Sequence, residues 1–321
     1  MGINQCNIMK NYFIYLPILF ITLGFSQEQI GQGLYGNSLI NYIQDNYTTN
    51  SVLSYNNARD ILYSEVDQQS NGSVYCIYTN YSTFLPNNID PSTHLYENGM
   101  NCEHVWPQSM YEGSSPMKSD MHHLRPSKEN ANSYRGNKPF NEGNDNQTNN
   151  WLWLTYNQSN TPSSNIDEYS ENHSNIFEPR EDVKGDIART MFYFYTIYTN
   201  EADESFFQSQ KDILLTWHNN DSVTNEEINR TWMIAGYQNN IPNPFILDES
   251  LIYRAYFYDE PIMGDLNTDG IVNVIDIILI VNYVIENESF SNEEINIADT
   301  NLDGIVNVID IIIFITLILG E

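Results

Sequence analysis

Glu103 and His104 stand side by side in the stretch Cys102-Glu103-His104-Val105-Trp106-Pro107-Gln108-Ser109. Asp120-Met121-His122-His123-Leu124-Arg125-Pro126 follows, then Asn130-Ala131-Asn132-Ser133-Tyr134-Arg135-Gly136-Asn137. Neighbouring residues on a strand point to opposite faces of the pleat. A carboxylate and an imidazole so placed can share a reaction, one holding a metal and the other reaching substrate, only where the strand ends in an open site. The amide oxygen of Asn132 is a hard ligand suited to Mg²⁺. His122 and His123 could ligate zinc as adjacent imidazoles, or one ring could be hydrogen-bonded in the core. Asp120 reads as orienting backbone or His122 rather than as a metal ligand.

A second chemistry is written twice. Asp265-Leu-Asn-Thr-Asp-Gly-Ile-Val-Asn-Val-Ile-Asp276 returns as Asp299-Thr-Asn-Leu-Asp-Gly-Ile-Val-Asn-Val-Ile-Asp310. Calcium takes six to eight oxygens, and loops of the EF-hand type supply them from positions 1, 3, 5, 7, 9 and 12. The first copy offers Asp265, Asn267, Asp269, the Ile271 carbonyl, Asn273 through water, and Asp276. The second offers Asp299, Asn301, Asp303, the Ile305 carbonyl, Asn307 and Asp310. Gly270 and Gly304 occupy position 6, where the sharp turn requires positive φ. An Asp stands at position 12 in place of the EF-hand Glu, and no helix is expected before either loop.

These groups need elements to position them. Apolar spacings of three and four predict helices over 37–47 and 57–67, and alternation predicts a strand over 73–79. A short strand is expected over 102–106, a helix capped by Ser127 over 127–135, and an extended stretch over 151–156. Residues 137–150 and 159–175 read as polar loops. The 181–198 segment carries Val183, Ile187, Met191, Phe194 and Tyr198 as one apolar stripe, the strongest helix signal. Helices over 205–219 and 224–239 follow, the latter with a Thr224/Glu227 capping box. Trp106, Trp151 and Trp153 read as core rather than as base-stacking platforms. The expected class is α+β: a mainly helical domain with few strands, plus a small all-α calcium-binding domain.

Composition supports a folded chain, since hydrophobic residues are 41% of 321 and aromatics 13%. The balance of 42 Asp+Glu against 13 Lys+Arg, net −29, excludes a protein that wraps nucleic acid with its whole surface. It permits an enzyme with a local basic groove. Lys118, Arg125, Lys128, Arg135 and Lys138 cluster, as do Arg180, Lys184 and Arg189, while residues 262–321 hold eleven acids and no Lys or Arg. Arg180, Lys184 and Arg189 could equally pair with Glu181, Asp182 and Asp186 on their own helix.

Residues 12–24 form a run of about 13 apolar residues, shorter than the roughly 20 a spanning helix needs. With Lys10 before it and Gly24-Phe25-Ser26 after, it reads as a signal peptide, 1–26, cut after Ser26. An uncleaved anchor is the alternative. Cleavage leaves Cys76 and Cys102, and in an oxidising compartment an even pair is expected to form a disulfide, two buried free thiols being the alternative.

The central motifs resemble those of the secreted endonuclease I family, nonspecific nucleases with a ββα-metal (His-Me finger) site. The resemblance continues through Phe177-Glu178-Pro179-Arg180, Lys184-Gly185-Asp186-Ile187-Ala188-Arg189 with Tyr193, and Asn243-Pro244-Phe245-Ile246, covering roughly 35–253. It implies that Glu103 and Asn132 hold Mg²⁺, that His104 is the general base, and that DNA, with RNA as a further possibility, is cut to 5′-phosphate products. The phosphate-contacting arginine found in members between the two histidine motifs has only Lys118 as counterpart here, so Arg135, Arg180 and Arg189 are further candidates. The tail, 264–319, resembles a type I dockerin, which implies two calcium ions and a cohesin-type partner. The expected organisation is a signal peptide, a nuclease domain over 27–258, a linker over 259–263 and a dockerin-like domain over 264–321, secreted and tethered through its tail. A non-catalytic, surface-attached calcium module is the rival reading, and a zinc protease lacks its His-Glu-x-x-His helix.

Overall fold

Leu39 and Ile43 are one helical turn apart and both are buried, fixing the inner face of α1 (Gly36–Tyr47). The computed structural model that shows this describes residues 29–258, 262–267, 271–285 and 289–319. The expected signal peptide, part of the linker, and Asp269 with Gly270 lie outside the described residues. α2 (Tyr55–Ile61) is capped by Ser54 and runs on into a π-helical turn, Leu62–Val66. β1 (Ser73–Tyr75) pairs antiparallel with β2 (Ser82–Phe84) and is shorter than expected. The chain leaves that hairpin because the Ile77 amide donates to Pro126 O at 3.0 Å, on a different strand.

α3 (Pro91–Glu97), capped by Asp90, leads into β3 (Met100–His104). β3 pairs antiparallel with β4 (Leu124–Lys128), Glu103 opposite Arg125 and His104 opposite Leu124. α4 (Glu129–Arg135) follows at once. It starts two residues later than Ser127 predicts, because Ser127 and Lys128 still face Asn101 and Met100 across the ladder. The result is a ββα unit.

β5 (Asn150–Trp153), β6 (Tyr156–Gln158), β7 (Ser170–Asn172) and β8 (Phe177–Glu178) form a sheet in the order β6-β5-β7-β8. β7 lies where a polar loop is expected; its three residues are all buried and hydrogen-bonded across the sheet. α5 (Lys184–Ile197) is the central helix. It carries more than the expected stripe, since Lys184, Arg189, Thr190 and Thr196 are buried as well, and a helix buried all round belongs at the centre of a core. Trp106 stacks on Phe194 at 4.8 Å. The expected helix over 205–219 is two, α6 (Glu204–Gln208) and α7 (Lys211–Asn220), and the buried Gln210 lies at the break between them. α8 (Asn225–Tyr237) has both halves of the Thr224/Glu227 capping box. α9 (Pro244–Leu247) and α10 (Leu251–Tyr256) close this part. Among the described residues helices outweigh the three small sheets, and the fold is α+β.

The tail has a core of its own, Leu266, Ile280, Ala298, Val306 and Phe314, built by α11 (Val274–Val284), α12 (Asn292–Ala298) and α13 (Val308–Leu319). α12 corrects the expectation that no helix precedes a loop: Ser291 and Glu294 make a complete capping box before Asp299. Among the described residues no helix is long and apolar enough to cross a membrane.

The expected Cys76–Cys102 disulfide is not formed, and both thiols are free and buried. β4 stands between them. Cys102 faces Pro126 from β3, and the 76–77 segment bonds to β4 from the other edge, where Lys128 N–H donates to Cys76 Sγ at 3.0 Å. Two strand spacings are about 9.5 Å, beyond the roughly 7 Å between Cα atoms that a disulfide can span. Burial pushes the Cys102 thiol up to about 12.

Candidate active site

His104 is the last residue of β3, and there the chain opens into a cleft of about 660 Å³ lined by Glu103, His104, Gln108, Ser109, Asn132 and Asn137 among others. A strand end escapes the alternation that would separate adjacent side chains, so Glu103 and His104 both reach one cavity. The return segment between β3 and β4 folds a 3₁₀ turn, Met117–Ser119, that brings Lys118 O to 3.1 Å from His104 Nε2. A carbonyl only accepts, so Nε2 carries the proton and Nδ1 keeps a lone pair. Burial pushes the ring's pKa down to about 3, with His123 adding to the effect, so the imidazole is neutral at physiological pH. Tyr55 stacks on it at 5.4 Å and His123 lies behind it at 5.5 Å between ring centroids.

Glu103 is only 3% exposed. Tyr78 donates its hydroxyl to Glu103 Oε1 at 2.7 Å, and Arg135 Nε lies 3.5 Å from the same oxygen. Burial outweighs both and pushes the carboxyl up to about 7. The charged form is therefore undercompensated, which is the condition a bound cation relieves. Asn132, on α4, donates its amide nitrogen to Asn101 Oδ1 at 2.8 Å and to Cys102 O at 3.3 Å. That orientation leaves its oxygen end to the cleft. A buried carboxylate and an amide oxygen at the same cavity are a hard donor set that fits Mg²⁺.

Of the phosphate-binding candidates, Arg135 and Arg189 are fully buried and committed inside the fold. Arg135 donates to Val105 O at 2.5 Å and Gly136 O at 2.7 Å and stacks over Phe140. Arg189 makes a two-pronged pair with Glu227 at 2.7 and 2.9 Å and donates to Asp221 O. Arg180 is bound to Ile77 O and to Asp182. Lys118 is the one of the four that is partly exposed, its Nζ 5.3 Å from the Tyr55 ring centre. His122 and His123 bond the carbonyls of Ile241 and Met117 at 2.9 and 2.6 Å, and their surroundings are core. Asp120 accepts from the His122 amide, Tyr193, Tyr198 and Gln238. Tyr78 and Asn101, which hold Glu103 and Asn132, are absent from the sequence reading. Neither sits in the motif it serves, and only the inward alternation at Tyr78 could have pointed to one of them.

In the tail, Asp265, Asp276, Asp299 and Asp310 are buried. Asp310 accepts the amides of Asn301 and Asn307 at 3.3 and 2.8 Å, and Asp299 those of Asp303 and Gly304 at 3.1 and 2.7 Å. Gly304 has φ +86°, as position 6 requires. Asp276 ties the first loop in the same way, accepting from Leu266, Asn267 and Asn273.

Compared with known proteins, residues 35–249 match the family described as Endonuclease I, and residues 263–319 match the dockerin type I domain. An extracellular ribonuclease of Bacillus subtilis (strain 168) is 29% identical over 239 residues, 67% of this chain and 73% of that protein. An extracellular ribonuclease of Bacillus amyloliquefaciens is 30% identical over 164 residues, 46% of this chain and 50% of that protein.

Proposed function

Since the chain belongs to the Endonuclease I family, we propose that this nuclease is a secreted, sequence-nonspecific, Mg²⁺-dependent endonuclease acting on DNA and RNA. The observation that carries the reading is one cleft lined by a neutral imidazole with a free Nδ1 lone pair and by two oxygen donors, Glu103 and Asn132. His104 Nδ1 takes a proton from water, the water oxygen bonds to phosphorus, and the bond from phosphorus to the 3′ oxygen breaks. The leaving 3′ oxygen takes a proton from solvent and His104 returns its proton to bulk water, so the products are 5′-phosphate and 3′-hydroxyl ends. Mg²⁺, held by Glu103 and Asn132, would supply Lewis-acid neutralisation of the phosphoryl charge. Tyr78 and Arg135 keep Glu103 aimed, and Asn101 keeps the Asn132 oxygen free. The attacking group is water and no 2′-hydroxyl takes part, so the chemistry admits DNA and RNA alike. That both Bacillus relatives are extracellular ribonucleases supports RNA among the substrates. Phosphate contacts carry no sequence information, in keeping with a scavenging enzyme.

Plasmid nicking and RNA cleavage are expected with Mg²⁺ and to stop with EDTA. Glu103→Ala is expected to lose activity and to need more Mg²⁺, since it deletes a charged ligand, and Asn132→Ala to shift the Mg²⁺ requirement less. Cleavage unchanged in EDTA would overturn the metal assignment.

The domain break is placed at 259–263, and the two loops are assigned to two structural calcium ions. Their buried carboxylates repel one another when no cation is bound. Titrating the isolated 264–321 segment with calcium is therefore expected to raise helical circular dichroism, saturating near two equivalents. A flat titration would contradict both loops together. The same positions of the two copies are exposed: Ile271 and Ile305, Ile275 and Ile309, Ile278 and Ile312. Repeated apolar faces of this kind suit a protein partner of the cohesin type, which would tether the secreted enzyme.

A further inference from the structure

Glu171 and Glu178 are paired residues across the β7–β8 ladder, so their side chains stand beside each other on one face. Both are buried. Like charges directly opposite repel, and burial removes the water that would screen them. His173, two positions beyond Glu171, brings Nε2 to 3.4 Å from Glu171 Oε2 and to 3.4 Å from Thr148 Oγ1. A ligand atom from each of Glu171, His173 and Glu178 lies within 4.8 Å of the other two. The nearby cation, Lys184, divides its bonds among Glu142, Glu178 and Glu181 at 2.8, 2.9 and 2.6 Å, and none of these goes to Glu171. Three buried groups thus face one another with less positive charge than they call for.

The geometry points to a second metal site, in which Glu171, His173 and Glu178 hold one divalent cation of the zinc class. One imidazole and two carboxylates are donors that Zn²⁺ accepts and that the all-oxygen preference of Ca²⁺ and Mg²⁺ disfavours. Tetrahedral bonds of 2.0–2.2 Å place ligand atoms about 3.4 Å apart, the separation between His173 Nε2 and Glu171 Oε2. Outer partners are in place, as such sites require. Gly143 N–H and Lys184 hold the two oxygens of Glu178 at 2.7 and 2.9 Å, and Thr148 donates to Glu171. Gly143 also makes the room: a Cβ there would lie 2.0 Å from His173 Nε2. None of the three ligands lines the cleft. The cation would pin β7 to β8, and the bonds of Gly143 and Thr148 to Glu178 and Glu171 would carry that order to the 141–148 segment. Through Lys138, which bonds Asn172 and His173 O, it would brace the chain just after α4.

The test uses the full chain, stripped with chelator and given Zn²⁺ in excess Ca²⁺ and Mg²⁺, with bound zinc counted after gel filtration. The wild type and Glu103→Gln are each expected to retain one zinc, and His173→Gln and Glu171→Gln to bind at least about 100-fold more weakly. Co²⁺ in place of Zn²⁺ is expected to give tetrahedral d–d absorption in the wild type and not in Glu171→Gln. Glu171→Gln keeps an oxygen for Thr148 and carries the test should His173→Gln fail to fold. No retained zinc in the wild type, or equal zinc in Glu171→Gln, overturns the assignment. This outcome is independent of nuclease activity.

Discussion

His104→Ala is expected to lower the rate of plasmid cleavage at saturating Mg²⁺ by about 10²–10⁴-fold, the range for loss of a general base. The substitution removes the Nδ1 lone pair and leaves Glu103 and Asn132 in place. Its structural cost is the hydrogen bond to Lys118 O and the packing against Tyr55, Tyr111 and His123, with no charge left unpaired, so the fall in melting temperature should be small beside the loss of rate. The Mg²⁺ concentration giving half-maximal rate should stay near that of the wild type. That separates His104 from Glu103, whose loss shifts the metal requirement. Cleavage at the wild-type rate by folded His104→Ala would sink the mechanism. Activity and melting temperature falling together in proportion would make His104 a packing residue.

The largest expected effect on stability is at Arg135. Its guanidinium is fully buried beside Glu103 and satisfies two carbonyls. Arg135→Leu strands a buried carboxylate and leaves Val105 O and Gly136 O unbonded. Removing one partner of a buried pair costs about 3–5 kcal/mol. At about 2–4 °C per kcal/mol for a domain of this size, the melting temperature should drop by roughly 6–20 °C. Adding Glu103→Leu removes the stranded charge, so the double variant should regain part of that loss. The contrary result is an unchanged melting temperature with weakened substrate binding. It would return Arg135 to the role of a phosphate clamp.

How far the sequence reaches depends on how local each interaction is. The Thr224/Glu227 box and the α5 helix rest on short-range spacing, and the structure contains them. The ββα order comes from the family resemblance alone, since β4 lies where spacing predicts the start of a helix. Glu103, His104 and Asn132 could be singled out because their motifs are contiguous, and the fold brings all three to one cleft. What could not be read is the fate of polar residues whose partners are remote. Ser170, Glu171, Asn172 and His173 read as a solvated loop, yet all are buried. Ser170, Glu171 and Asn172 bond Tyr78 O, Thr148 and Asn150, and the His173 backbone oxygen accepts from Lys138, all groups distant in the chain. The arginines mislead for the same reason. A guanidinium looks identical in sequence whether it faces phosphate or a buried glutamate, and Arg135 and Arg189 face the glutamates. Cys76 and Cys102 show that parity says nothing of distance: one intervening strand undoes the pairing.

That strand also bears on where such a nuclease can work. With β4 between the two thiols and Cys102 held in its protonated form, the fold described between residues 29 and 258 holds no disulfide. An exporting cell need supply no thiol oxidase or isomerase to mature it. Anoxic, sulfide-rich or otherwise reducing surroundings, which dismantle secreted enzymes stapled by cystines, have no bond in this domain to attack.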